Sequence, residues 1–433
     1  MLRLPVLFTL LAFAGLAGAQ DVVIIVADDV AHADLARVPT PNLDRLRAHG
    51  IEYSRAFAMP LCSPTRRTIY FGTWWSEITG NRCAVLDGSE PNLNEVSLAE
   101  LDPGAWTYFS GKWHLGGNPG GPWQLAPEAH GFDVARAWHM ANLFQCQSDG
   151  YFSWQRLDRG RVTTSTVYEP RAILDQFTRV WSVPTTQRRL ALLSPALAHS
   201  PYHRPPPDML PADWPATPDA NTKFEAMIAA LDLFVGKVLS SVDLDRDLVI
   251  FVGDNGTADP VSPVPGKSKG TTFERGIHVP LILAGAGIDG PRATEALVQV
   301  SDIYATVADL WAVPPPSGLD SASLFRLDEG RSHVICGAIG ELDHFGSPGD
   351  VNSDLCVRTK SLKYRRTERF EQLYDLELDP GETIDRLGDP AYAAAAAELR
   401  ELLDEYLERA QPPSNRRPWS GGTAPAPTFP GNR

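Results

Sequence analysis

Short runs of apolar residues recur along the chain, and polar residues follow each run. The clearest runs are Val22–Ala27 and residues 248–252, and shorter ones occupy 106–109, 190–193 and 281–283. Apolar and polar positions do not alternate within them, which indicates strands buried on both faces, as in parallel sheets. The pattern therefore predicts a large, mostly parallel sheet.

Helical signals fall between these runs. Thr40-Pro41 is a start signal, Gly50 is a stop signal, and apolar residues keep helical spacing over residues 224–238. Strands that alternate with helices are typical of an α/β fold, in which ligands bind at the carboxyl ends of the strands. We expect the sheet to be sandwiched by helices.

A run of three prolines, residues 314–316, predicts a domain boundary. Residues 20–316 would form the α/β catalytic domain, and residues 317–410 a smaller C-terminal α+β subdomain. Residues 411–433 are rich in Pro, Gly and polar residues, which is typical of a disordered tail.

The smaller subdomain has its own pattern of elements. Residues 334–339, 355–363 and 372–376 are predicted strands of an antiparallel sheet. A helix is expected to begin near Asp389-Pro390, with apolar residues on one face.

The first 19 residues have the pattern of a secretory signal peptide. One Arg precedes an apolar stretch that is too short to span a bilayer comfortably, and Ala17-Gly18-Ala19 is a small-residue cleavage site. No Cys follows directly, so a lipoprotein anchor is not expected. The sequence predicts cleavage after Ala19, no membrane anchor, and a periplasmic or secreted protein.

Composition narrows the choice of partner. The 433 residues include 39 Lys and Arg against 53 Asp and Glu, for a formal net charge of −14. An acidic surface argues against nucleic acid or an anionic membrane as the main partner. It leaves room for a small anionic substrate in a locally basic pocket.

Five cysteines suit an oxidising compartment. If Cys62 is chemically special, four remain, and proximity in the chain favours the pairs Cys83–Cys146 and Cys336–Cys356. The alternative is buried free thiols, which are common in protein cores.

Two predicted strands end in oxygen ligands: Asp28-Asp29 and Asp254-Asn255. Each pair alone is more often a turn or a helix cap. Brought together at one edge of the sheet, they would form a site for a hard divalent cation, Ca²⁺ or Mg²⁺ rather than zinc.

Basic residues also follow the predicted strands or stand in short conspicuous motifs. A cation with several fixed positive side chains is what a tetrahedral oxyanion such as sulfate or phosphate requires. The candidates are Arg66, Lys112, His114, His199 and Lys269.

The most specific segment is residues 61–66, Leu-Cys-Ser-Pro-Thr-Arg. Pro64 suits the first turn of a helix, which places Cys62 or Ser63 near the N-cap. A helix N-terminus directs N–H groups and partial positive charge at an anion. Cys62 is therefore a candidate nucleophile, although a structural Cys at a turn is the plainer interpretation.

Residues 62–66 match Cys-x-Pro-x-Arg, and on this motif the chain resembles the type I sulfatases of the alkaline phosphatase superfamily. The resemblance covers nearly the whole chain after the signal peptide. Its further matches, in order, are Asp28-Asp29, residues 40–46, 111–116, 253–256 and 269–274, and then 373–376 and 379–382.

The resemblance implies a sulfuric ester hydrolase in which Cys62 is converted to formylglycine by a formylglycine-generating enzyme, and its hydrate supplies the nucleophilic hydroxyl. Arg66 would stabilise that hydrate, and Lys112 and Lys269 would hold the sulfate. His199 would protonate the leaving alcohol, and His114 would assist loss of sulfate. The implied ligands of the metal, Ca²⁺ in preference to Mg²⁺, are Asp28, Asp29, the modified Cys62, Asp254 and Asn255.

Two alternatives stay open at this stage. Relatives in the same superfamily hydrolyse phosphonate monoesters or phosphodiesters on the same scaffold, and an inactive protein could bind sulfated glycans. An aryl, a steroid or a sugar sulfate could each be the substrate. Trp74, Trp75, Tyr202 and His203 could stack on such a group, although packing is the commoner role of aromatic residues beside a core.

Overall fold

The computed structural model of the chain describes residues 20–74, 95–115, 122–144, 150–327, 329–341 and 351–410. The expected signal peptide and C-terminal tail lie outside these residues, as do Trp75, Cys83 and Cys146. Within the described ranges, every helix is too short or too polar to cross a membrane.

Fifteen strands and eight α-helices make up the described part of the chain. The strands are β1 (Val22–Ala27), β2 (Gly50–Phe57), β3 (Trp106–Lys112), β4 (Val134–His139), β5 (Trp154–Asp158), β6 (Arg161–Ser165), β7 (Arg189–Ser194), β8 (Leu248–Gly253), β9 (His278–Val279), β10 (Leu281–Gly285), β11 (Arg292–Gln299), β12 (Val334–Glu341), β13 (Val351–Arg358), β14 (Leu362–Thr367) and β15 (Glu371–Asp375). The helices are α1 (Pro41–Arg47), α2 (Cys62–Phe71), α3 (Ala126–Ala129), α4 (Glu169–Trp181), α5 (Ala220–Leu239), α6 (Glu274–Ile277), α7 (Asp302–Leu310) and α8 (Ala393–Ala410).

Eleven strands form one sheet in the order β11-β2-β10-β8-β1-β7-β3-β4-β5-β6, with β9 paired to β2. The central strands β8, β1, β7, β3 and β4 are parallel, whereas β10, β5 and β6 run antiparallel to their neighbours. A second, antiparallel sheet has the order β12-β13-β14-β15 and packs against α8. The predicted fold class is confirmed.

Strand β1 explains why the apolar runs do not alternate with polar residues. Successive side chains of a strand point to opposite faces of its sheet. Val22 and Ile24 enter a core that also contains apolar residues of α2 and α7. Val23 and Ile25 enter a second core with α1, α4 and α5. Because helices cover both faces, every position of β1 is apolar and buried.

Helix α1 begins where Thr40-Pro41 predicts it, but its cap comes from another helix. The Thr40 side chain makes no capping hydrogen bond. Instead, Asp232 of α5 accepts hydrogen bonds from the backbone N–H groups of Asn42 and Leu43, at 3.0 and 2.9 Å. These are the N–H groups that a helix start leaves unpaired. Local sequence cannot reveal a cap that lies 190 residues away.

One local expectation is confirmed and another is corrected. Helix α1 ends at Arg47, shortly before the predicted stop at Gly50, which is also the first residue of β2. The single strand expected over residues 355–363 is two antiparallel strands, β13 and β14, joined by a turn at residues 359–361. That turn contains neither Gly nor Pro, and its Thr and Ser residues are weaker turn signals.

The expected disulfide between Cys336 and Cys356 is also corrected. The two residues are directly opposite each other on β12 and β13, and both are buried free thiols. They lie in the apolar core between the small sheet and α8, where a free Cys packs as a small apolar side chain.

A buried ionic cluster joins the small sheet to the segment 267–274, which leads into α6. Asp354 accepts hydrogen bonds from Thr272 N and Thr272 Oγ1, at 3.0 and 2.6 Å, and from the guanidinium of Arg365. Lys363 Nζ donates to Thr272 O at 3.0 Å and pairs with Glu274 at 2.7 Å. The charged face of the small sheet therefore holds this segment in place.

Asp354→Asn is expected to destabilise the protein, because it leaves the buried Arg365 without its carboxylate. Breaking one partner of a buried ion pair costs about 3–5 kcal/mol of unfolding free energy. Urea unfolding followed by circular dichroism measures the change. The matched control is Asp404→Asn, whose carboxylate pairs with the next residue of β14, Arg366, while 53% exposed. Equal shifts of the two unfolding midpoints would contradict the assigned role of Asp354.

Candidate active site

The candidate residues meet at one edge of the large sheet. Asp28-Asp29 directly follows β1, and Asp254-Asn255 follows β8. Lys112 is the last residue of β3, and Ser194 is the last residue of β7. Because these four strands are parallel neighbours, their carboxyl ends lie side by side. Strands distant in sequence thus supply one site.

Cys62 is the first residue of α2, and Leu61 is the N-cap. The thiol Sγ lies 3.7 Å from Asp28 Oδ1, 3.9 Å from Asp29 Oδ1 and 3.2 Å from Lys269 Nζ. Pro64 falls in the first turn, as predicted. The helix N-terminus therefore presents Cys62 to both acidic and basic groups.

The Cys62 thiol is not a ready nucleophile in its unmodified form. Burial raises the pKa of Cys62 to about 12, although the charges of Lys112 and Lys269 oppose this. Reactive thiols are thiolates, with a pKa below the ordinary value. In this environment Cys62 is therefore a protonated thiol at neutral pH.

The oxygen ligands fit a hard divalent cation. Asn255 Nδ2 donates to Asp29 Oδ1 at 2.8 Å and to Gly256 O at 2.9 Å. Asn255 Oδ1 is buried and has no hydrogen-bond partner among the described residues. Ligand atoms of Asp28, Asp29, Cys62 and His199 all lie within 4.8 Å of one another. An unpaired acceptor beside clustered carboxylates is the donor set that Ca²⁺ or Mg²⁺ takes.

The buried carboxylates differ in their readiness to ionise. Burial alone would raise the pKa of Asp28, but Lys112, 2.7 Å away, and other cations hold that pKa well below its usual range. Burial and repulsion from Asp28 raise the pKa of Asp254 to about 6, against the attraction of Arg66. A bound cation would favour the ionised form of both groups.

Arg66, on α2, contacts residues at the ends of three strands, β8, β3 and β7. Its Nε and Nη2 donate to Asp254 Oδ2, at 3.2 and 2.8 Å, and its Nη1 donates to Lys112 O at 2.8 Å. Nη1 also contacts Ser194 Oγ. The sequence analysis missed Ser194, although it follows a predicted strand just as Asp28 and Asp254 do.

Two lysines pair with the aspartates that lie beside Cys62. Lys112 Nζ contacts Asp28, and Lys269 Nζ lies 2.5 Å from Asp29 Oδ1. The loop of Lys269 is held by two backbone hydrogen bonds, from Lys269 N to Thr257 O at 2.9 Å and from Gly270 N to Pro60 O at 2.8 Å. Burial opposes the charge of Lys269, but Asp29 and its neighbours raise the lysine pKa well above its ordinary value. Lys269 is therefore charged at neutral pH.

Both candidate histidines favour the neutral form. Burial lowers the pKa of His199 to about 4, although Asp29 opposes this, and burial with Lys112 and Arg66 lowers the pKa of His114 well below its ordinary value. His199 Nδ1 donates to Ser200 O at 2.7 Å, so in the neutral ring Nε2 carries the lone pair. That Nε2 is 3.7 Å from Asp29 Oδ2.

Two residues at the site have left-handed backbone conformations. Asp29 has φ 61° and His114 has φ 59°. Residues other than Gly rarely adopt such angles, although Asp and His do so more often than most, and such conformations cluster at functional sites.

The aromatic residues singled out from sequence have packing contacts. Trp74 is 9% exposed and lies against Tyr406 and Arg331. Tyr202 meets the Phe224 ring edge-on. His203 contacts the Tyr151 ring, with centroids 4.1 Å apart, and its Nε2 is 3.0 Å from Tyr168 Oη.

Comparison with known proteins identifies relatives of the whole chain. The family model named Sulfatase matches residues 20–313. Arylsulfatase A of Bos taurus is 28% identical over 93% of this chain and 90% of its own length.

Solved structures share the fold. Ps i-CgsB in complex with k-i-k-neocarrahexaose matches with a TM-score of 0.76 at 21% identity, over 92% of this chain and 94% of that one. The phosphonate monoester hydrolase of Agrobacterium radiobacter matches with a TM-score of 0.67 at 19% identity, over 90% and 96% of the two chains.

Asn255→Ala is expected to weaken cation binding, because it removes the unpaired buried oxygen. Ca²⁺ at about a hundred times its Kd adds about 2.7 kcal/mol to the free energy of unfolding. Thermal unfolding of chelator-treated protein, with and without added Ca²⁺ or Mg²⁺, measures this gain. Asn221→Ala is the control, since the Asn221 amide contacts Arg37 at an exposed position. An unchanged Ca²⁺ response in Asn255→Ala would remove Asn255 from the ligand set.

Proposed function

The chain belongs to the sulfatase family, and from that membership we propose that it hydrolyses an organic sulfate ester to an alcohol and inorganic sulfate, with Cys62 acting in its formylglycine form. The family assigns it as a sulfuric ester hydrolase. The observation that carries the proposed mechanism is the place of Cys62, with its Sγ 3.2 Å from Lys269 Nζ and beside two carboxylates.

Two groups complete the site under this proposal. Formylglycine, made from Cys62 by a formylglycine-generating enzyme, supplies as its hydrate the hydroxyl that attacks sulfur. A divalent cation, Ca²⁺ in preference to Mg²⁺, supplies fixed positive charge for the sulfate oxygens. Asp28, Asp29, Asp254 and Asn255 would hold the cation together with residue 62, and the buried unpaired oxygen of Asn255 supports this set.

The basic side chains bind and orient the reacting group. Lys269 contacts Cys62 directly, and Lys112 and Lys269 each contact one aspartate of the cluster. In the complex, their ammonium groups would bind sulfate oxygens and neutralise the charge that grows in the transition state. Arg66 is wholly buried and bound to Asp254. It would therefore fix the position of the Asp254 carboxylate relative to the start of α2, where Cys62 lies.

The histidines move protons. We assign to His199 Nε2 the proton that goes to the leaving alcohol, because Nδ1 is already engaged with Ser200 O. Burial favours neutral His199 in the free protein, and an anionic ester beside it would favour the protonated form. His114 Nδ1 is buried without a partner among the described residues, and it is assigned the proton taken up as sulfate is released.

The proposal includes a location and a maturation partner. The N-terminal signal pattern supports export to the periplasm or the medium, with cleavage after Ala19. Export and formylglycine formation would both precede activity.

Sulfate is expected to be the preferred ester. One aryl leaving group would be presented as sulfate, as phosphonate monoester and as phosphate diester, and rates would be normalised to the formylglycine content of the peptide 56–66. We expect the highest kcat/KM for the sulfate. A higher kcat/KM for either phosphorus ester would favour the alternative function, a phosphonate monoester hydrolase or a phosphodiesterase. The Agrobacterium phosphonate monoester hydrolase shares this fold, which is why that alternative is tested. Tight binding of sulfated glycans without turnover would favour an inactive binding protein.

Cys62→Ser is expected to lower kcat by at least about a thousandfold in a host that does not modify Ser, because the hydrate cannot form. Ser63→Ala is the control, since residue 63 is a variable position of the motif. Peptide mass spectrometry reports the state of residue 62 in each preparation. Full activity of unmodified Cys62→Ser would exclude the formylglycine mechanism.

A further inference from the structure

An aromatic surface lies beside the imidazole of His199. The Phe144 ring stacks on that imidazole, with centroids 5.7 Å apart and planes 20° apart, and Phe144 is 46% exposed. Phe152 is likewise 46% exposed and stacks on Tyr168 at 5.0 Å. We call Phe144 and Phe152 together the aromatic surface.

Buried contacts hold this surface against the site. The backbone N–H of Gly150 donates to Leu143 O at 2.7 Å, which brings the chain next to Phe144 back to the chain next to Phe152. Between them, Tyr151 is 2% exposed, and its hydroxyl donates to His199 O at 2.7 Å. The aromatic surface and the backbone of His199 are therefore fixed to each other.

The exposure of Phe144 and Phe152 is not explained by packing of the protein core. A half-exposed Phe leaves apolar surface in water that folding has not removed, and grouped exposed apolar residues often mark binding sites. A third exposed aromatic side chain, Phe370, is 47% exposed on the small sheet, where Arg365 lies 5.4 Å from its ring. Phe144 differs from Phe370 because its ring covers an assigned proton donor.

The proton-transfer geometry places the alcohol next to this surface. A leaving oxygen must come within about 3 Å of His199 Nε2 to receive its proton. Because Phe144 stacks on the same imidazole, the carbon atoms bonded to that oxygen would come next to its exposed ring. The lysines and aspartates near His199 would hold the sulfate.

We propose that Phe144 and Phe152 form the binding site for the alcohol part of the ester, and that this alcohol is carried on a ring with a flat apolar face, either an aryl ring or a pyranose. Such a ring stacks on an aromatic side chain, whereas a flexible alkyl chain gains no oriented contact. The inference rests on the proposed function, since it requires His199 to face the leaving oxygen.

The test uses Phe144→Ala in the mature, formylglycine-containing enzyme with three esters: an aryl sulfate, a monosaccharide sulfate and an acyclic primary alkyl sulfate. We expect kcat/KM for at least one ring ester to fall about tenfold, the change that one aromatic contact supports. The alkyl ester and competitive inhibition by inorganic sulfate should be unchanged. The ring ester with the larger loss identifies the ring as aryl or pyranose.

Phe370→Ala is the matched control, an equally exposed Phe far along the chain, and should leave all three esters unchanged. Phe144→Trp should retain the preference for ring esters. An equal loss on all three esters, or weaker inhibition by sulfate, would overturn the inference, because Phe144 would then act only by supporting His199.

Ligand-observed NMR with a phenol and a monosaccharide, the alcohol products, separates this inference from the proposed function. Binding to the wild-type protein that is lost in Phe144→Ala supports the aromatic surface even if no ester is hydrolysed, an outcome that would refute the proposed function alone. Turnover of ring sulfates that depends on neither Phe144 nor Phe152 would refute the aromatic surface alone.

Discussion

The constraint on which this structure depends is the burial of several carboxylates at one edge of a sheet. Asp28, Asp29 and Asp254 are brought together because β1 and β8 are parallel neighbours. Like charges this close and this well shielded from water repel strongly, and each would neutralise without partners. Burial first, and repulsion from Asp28 second, raise the pKa of Asp254 to about 6.

The surrounding architecture compensates for these charges. Lys112 ends β3, and Arg66 stands one turn into α2, so each cation is carried by a rigid element. Lys269 is the exception, because it stands on a loop. That loop is held by one backbone hydrogen bond to Pro60, just before α2, and by another to Thr257, after β8. The small sheet holds the following residues through Asp354. The small sheet therefore supports the charged site without lining it.

The surroundings of His199 have a charged half and an aromatic half. Asp29, 3.7 Å from Nε2, belongs to the buried charges suited to an anion and a cation. The exposed ring of Phe144 stacks on the imidazole. Under the proposed function, the charged half would bind the sulfate that all substrates share, and the aromatic half would select the alcohol. His199 lies between them, where the bond to the leaving oxygen must break.

Sequence alone determined the sheet type, the polar residues at strand ends and the Cys62 motif, because each depends only on residues close together in the chain. Uninterrupted apolar runs report burial on both faces, and Pro64 reports the start of a helix. The resemblance to sulfatases then implied roles residue by residue. The structure joins nine of the ten candidates by direct contacts, and the tenth, His114, is close enough for Lys112 and Arg66 to lower its pKa.

Only the tertiary structure decided features that depend on residues distant in sequence. Asp232 caps α1 from another helix, Ser194 contacts Arg66 from another strand, and Phe144 covers His199 from another loop. The charge state of His199 was likewise open in sequence, where nearby cations and carboxylates oppose each other. Burial decides it in favour of the neutral ring. Contacts of this kind follow from packing between distant segments, and no local pattern of residues encodes them.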